Sequence, residues 1–60
     1  MATLRELRLA KAYSQAELAK KIRMSERTLS RIEQRQVVAR PSTRQRIAKA
    51  LGVKPEEIEF

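Results

Sequence analysis

The 60-residue chain has no cysteine and no histidine. No disulfide can staple it, and the usual sulfur and nitrogen ligands of a zinc site are missing. It has no aspartate either, so all seven of its acids are glutamates, and they are scattered. With one glycine, Gly52, no phosphate-cradling glycine loop can be built. The familiar nucleophile and acid–base sets are thus absent, and catalysis is not expected. Tyr13 and Phe60 are the only aromatics, too few for the stacking platform of a single-strand reader. No apolar/polar alternation persists, so strands are not expected. No apolar run approaches the roughly 18 residues of a membrane span, and no signal-peptide pattern opens the chain. The lack of cysteine is compatible with a reducing cytoplasm, the expected location. No cofactor motif or small-molecule site is evident.

What the chain does have is positive charge. Fourteen Lys and Arg face seven Glu, a net charge of +7. Glu56, Glu57 and Glu59 crowd the last five residues, so residues 1–55 carry a net +10. A polyanion is the obvious partner, though a solvated basic surface would look the same in composition. The length predicts a single domain over 1–60. So short a chain buries only about 60% of its unfolded surface, and its core supplies roughly 3–5 kcal/mol.

Helix signals recur along the chain. Thr3–Glu6, Ser14–Glu17 and Ser42–Gln45 each fit a capping box, in which a hydroxyl and a side chain three residues on satisfy unpaired backbone N–H groups reciprocally. Ser25 is a fourth N-cap, followed by Glu26 at the positive end of the helix dipole. Pro55 suits the first position of a last short helix, and Gly52 suits a left-handed cap. The spacing predicts five helices near 4–12, 15–22, 26–34, 43–51 and 55–59, an all-α bundle. The apolar stripe runs through Leu4, Leu7, Leu18, Ile22, Leu29, Ile32, Ile47, Leu51, Val53 and Ile58. Tyr13 and Met24 lie in junctions and plug the core from there.

Residues 15–34, QAELAKKIRMSERTLSRIEQ, read as two helices joined by a three-residue turn. Ala19 is small enough for a close crossing, and the second helix carries arginines away from its apolar stripe. SQAELAKKI, then SERTLSRIE, then RPS…IAKALGV resemble the lambda-repressor/Cro-like (XRE) helix-turn-helix family, in order and spacing from Leu4 to Ile58. The resemblance implies a compact five-helix bundle in which helices 2 and 3 form the helix-turn-helix. Its third helix would enter the major groove, with a homodimer on a palindromic operator. It implies base-edge contacts by Glu26, Arg27, Thr28 and Arg31, a phosphate contact by Gln15, and a buried ion pair between Arg8 and Glu33. Ser14, Gln34, Arg35 and Arg40 flank the unit as further phosphate candidates.

Arg27 and Arg31 could each grip guanine O6 and N7, hold a phosphate, or stay in water. Glu26 could accept from cytosine N4, serve the helix dipole, or orient Arg27. Arg23 stands where the family commonly has a left-handed glycine, at a steric cost of roughly 1–2 kcal/mol. Gln34-Arg35 replaces the common Asn-Gly, which predicts a longer third helix. The expected function is sequence-specific binding of double-stranded DNA by a repressor-like transcriptional regulator. The alternative is a protein-interaction module, such as an antitoxin or regulator subunit, with DNA binding secondary. Val53, Ile58 and Phe60, with Val37 and Val38, would then be the apolar dimer or partner surface.

Overall fold

The computed structural model describes residues 1–60. Four α-helices form: α1 (Leu4–Ala10), α2 (Gln15–Lys21), α3 (Glu26–Glu33) and α4 (Pro41–Leu51). The expected fifth helix does not form. Pro55–Glu57 make one 3-10 turn, and Ile58–Glu59 then run extended as β2. β2 pairs in parallel with β1 (Ala2–Thr3), in the register Ala2 to Ile58 and Thr3 to Glu59. The strands that composition argued against are thus two residues each, and they join the two ends of the chain. A pairing that short leaves no alternation to read.

Three of the four helices start at a side-chain cap. Thr3 and Ser14 form full capping boxes with Glu6 and Glu17. Ser25 Oγ accepts the Thr28 N–H at 3.1 Å. Ser42 is not a cap. Arg40 is the N-cap of α4 without a side-chain bond, and Pro41 begins the helix. Proline at the first position has its φ preset and loses no hydrogen bond there, so the helix starts before the serine.

All four helices end alike. The N–H groups of Tyr13, Met24, Gln36 and Val53 reach back to the carbonyls of Arg8, Ala19, Arg31 and Ala48 at 2.8–3.1 Å. Each closure needs one left-handed residue just before it: Ala12 (φ 59°), Arg23 (φ 55°), Arg35 (φ 59°) and Gly52 (φ 71°). This is the Schellman motif, and only the last copy uses glycine. The closure at Arg35 also ends α3 at Glu33, so the helix does not run on through Gln34-Arg35.

The core is one cluster: Leu4, Leu18, Ala19, Ile22, Leu29, Ile32, Ala39, Ile47, Ala48, Leu51 and Ile58. Leu7, Tyr13, Met24, Val53 and Phe60 pack against it, half-buried. Ala39 and Ala48 join the stripe although neither is bulky enough to announce itself. Ala19, 2% exposed, sits where α2 crosses α3.

Candidate nucleic-acid interface

α3 is anchored along one side and free along the other. At about 100° per residue, its buried Leu29, Ile32 and Glu33 lie opposite Arg27, Arg31 and Gln34. Glu26 and Thr28 occupy the flanks of the exposed face. Glu26, Arg27 and Arg31 are exposed and take part in no ion pair or side-chain hydrogen bond within the chain. Glu26 therefore does not orient Arg27. Thr28 is tied locally: its Oγ1 accepts from the Ser25 hydroxyl at 2.7 Å, leaving its own proton to donate.

The anchor is Arg8. Its Nε and Nη2 donate to the two carboxylate oxygens of Glu33 at 2.8 and 3.2 Å. Its Nη1 donates to the Tyr13 carbonyl at 2.7 Å. The side chains of Arg8 and Glu33 are 8% and 3% exposed. Three elements thus meet at one bidentate pair: α1, the α1–α2 turn and the end of α3. Gln15 Nε2 donates a longer bond, 3.4 Å, to the same Glu33 carboxylate.

That hub closes one side of an open cleft of about 470 Å³, lined by Arg5, Arg8, Gln15, Glu33 and Gln34. The cleft lies beside the N-terminal end of α2, whose backbone N–H groups favour an anion. Arg5 belongs to it as well, a residue that the family resemblance does not single out. Its signal was its place three residues before Arg8, on the same helix face. Gln34 is exposed and bonded locally: its Nε2 donates to Ser30 Oγ at 3.2 Å, and its Oε1 accepts from Gln36 at 2.9 Å.

The remaining phosphate candidates do not converge there. The Ser14 hydroxyl accepts the Glu17 N–H at 3.0 Å, as a cap. Arg35 reaches Glu59 at 3.5 Å, with both side chains about half exposed. Arg40 is exposed at the start of α4. Of the apolar surface candidates, Ile58 is corrected: it is 4% exposed and belongs to the core, because β2 tucks it behind β1. Val53 and Phe60 are half-buried, and the Arg44 guanidinium lies 5.5 Å from the centre of the Phe60 ring. Val37 and Val38 remain exposed, at 42% and 83%.

No group of three or more acidic residues is placed to hold a metal ion. No helix is long and apolar enough to cross a membrane. No curated protein and no solved structure matches the chain. A family model described as helix-turn-helix domain matches residues 2–60. That match agrees with the geometry of α2, the Arg23 turn and α3, and membership points to DNA as partner and to a regulatory role. The chain belongs to the helix-turn-helix domain family.

Proposed function

We propose that the protein is a sequence-specific, double-stranded DNA-binding regulator of the repressor type, inserting α3 into the major groove. The observation that carries this reading is the pair Arg27 and Arg31. They are exposed, unpaired and four residues apart, on the side of α3 opposite its anchored stripe. A guanidinium fork without a partner in its own chain can take guanine O6 and N7. Glu26 and Thr28 complete the base-reading set. Ser14, Gln15, Gln34, Arg35 and Arg40, together with Arg5, hold phosphates and fix the register. A chain of 60 residues reads few base pairs, so two copies on a palindromic operator form the working unit. Such a regulator works where the chromosome is.

Selection of bound sequences from a random duplex pool tests this. A palindromic consensus is expected, with affinity falling about 10³-fold between 50 and 200 mM salt for about six phosphate contacts. Arg27→Ala and Arg31→Ala should relax particular positions of that consensus by about 1–3 kcal/mol, while Arg40→Ala should weaken all sites alike. No enrichment and a flat salt response would overturn the reading.

Val38, the most exposed valine, favours a second reading: a module whose main partner is another protein. Sedimentation with and without DNA separates the two. Self-association on DNA supports the regulator, and a chain that stays monomeric with and without DNA until a second protein is added supports the partner module.

A further inference from the structure

The end of α2 remote from Gln15 carries a second concentration of charge. Lys21 and Arg23 from α2 and its turn, and Arg46 and Lys49 from α4, line an open cleft of about 420 Å³. Ile22 and Ala50 are its only other lining residues, so no acid faces it. None of the four cations is in an ion pair. We propose that this cleft binds closely spaced phosphate groups.

All four side chains are exposed around one concavity. Four like charges around one concavity repel each other, and a polyanion relieves that repulsion. Arg46 is positioned by donating from Nη2 to the Ile22 carbonyl, one of the unpaired carbonyls at the end of α2. That bond offsets the negative end of the helix dipole, which would otherwise oppose an anion, and leaves Arg46 further N–H donors. Lys21 leans on a neutral surface, 5.9 Å from the centre of the Tyr13 ring.

Arg23 reaches the cleft from the α2–α3 turn. It sits at φ 55°, where glycine would carry no steric cost, and it is exposed. Its guanidinium has no acidic partner in the chain and adds a charge to the cleft. Guanidinium forks and ammonium groups together match phosphate oxygens. The cleft volume falls within the range of small-ligand sites. The seven-residue α2 separates it by about 10 Å from the Gln15 end, so it is distinct from the cleft at Arg5.

The phosphates can come from a free oligophosphate or from the backbone of a bound duplex. Titration of the isotope-labelled chain with inorganic triphosphate, followed by NMR, tests the shared chemistry. Saturable shifts confined to Lys21, Arg23, Arg46 and Lys49 are expected. Arg23→Gly should weaken triphosphate binding about tenfold, a loss of about 1.4 kcal/mol. The same change should raise the melting temperature by about 4–8 °C, so that misfolding cannot explain the lost affinity. Lys49→Gln, an exposed change, should also weaken binding. Shifts spread evenly over all the arginines, or affinity unchanged in both variants, would overturn the proposal. Duplex binding by Arg23→Gly then identifies the source. A salt slope reduced by about one marks the DNA backbone, and an unchanged slope marks a free oligophosphate.

Discussion

At the residue scale, Arg8 joins more of this protein than any other side chain. It bonds both oxygens of Glu33, and it is tied twice to Tyr13. Its guanidinium donates to the Tyr13 carbonyl at 2.7 Å, and its own carbonyl accepts the Tyr13 N–H at 3.1 Å. The pair is buried, so removing one partner strands the other without water. Arg8→Ala should cost about 3–5 kcal/mol, as much as the whole core of so small a domain supplies. Urea denaturation at 25 °C should find the variant largely unfolded. Replacing both partners together, Arg8→Met with Glu33→Met, should recover much of the loss, because no charge is then left unpaired. If the single and double variants are equally unstable, the pair is not the anchor.

At the element scale, the helices have seven, seven, eight and eleven residues, too short to persist alone. Their ends therefore matter. Ala12 holds a left-handed turn at the end of α1 without the freedom of glycine, and no side-chain charge compensates the strain. Ala12→Gly should stabilise the fold by about 0.5–1 kcal/mol, since relief of the left-handed penalty exceeds the extra entropy glycine loses on folding. Thermal melting reads this directly, and a lower midpoint would count against it.

The helix starts have a pH signature. Glu6 and Glu17 each accept the backbone N–H of the cap residue, Thr3 and Ser14, and each carboxylate also lies beside that residue's hydroxyl. Both interactions lower the carboxyl pKa below its ordinary value. A depressed folded pKa means that the contribution is complete above the unfolded value, about 4.3, and is lost as pH falls through the lower folded value. The melting midpoint should therefore fall as the solution is acidified below about pH 4. Glu6→Gln with Glu17→Gln should flatten that fall, and an equally steep acid limb in the double variant would refute the assignment.

At the scale of the whole molecule, the two ends of the chain are clasped by the β1–β2 pairing, with Ile58 beneath it. Ile58→Ala should cost about 2–5 kcal/mol by leaving a cavity, and it should loosen the N-terminus along with the C-terminus. Hydrogen exchange at Thr3 and Leu4 is the measurement. Protection there that survives the substitution would mean that α1 holds itself in place. The same clasp explains why the last segment is not the helix that its sequence predicts. Pro55, Glu56 and Glu57 do start a helical turn, but the partner that draws Ile58 and Glu59 into a strand is at the far end of the sequence. No local pattern could announce it.

The legible part of the fold consists of interactions that close within a few residues. Thr3, Ser14 and Ser25 bond the N–H three positions on, and Gly52 turns left-handed one step past Leu51, so sequence spacing determined where these helices begin or end. Where two local signals competed, as at Pro41 and Ser42, the residue that also suits the helix dihedrals prevailed. The buried stripe was legible for the same reason, apart from Ala39 and Ala48, whose small side chains gave no periodic signal. The fates of the charges were not legible in the same way. Fourteen cations look alike in a sequence, and only the distances between packed elements sort them. The family resemblance implied that Arg8 would be buried against Glu33, but only the tertiary structure turned Arg35 toward Glu59 and gathered Lys21, Arg23, Arg46 and Lys49 around one cleft. It left Arg27 and Arg31 without a partner because α3 could bury only one of its faces, and the sequence put them on the other.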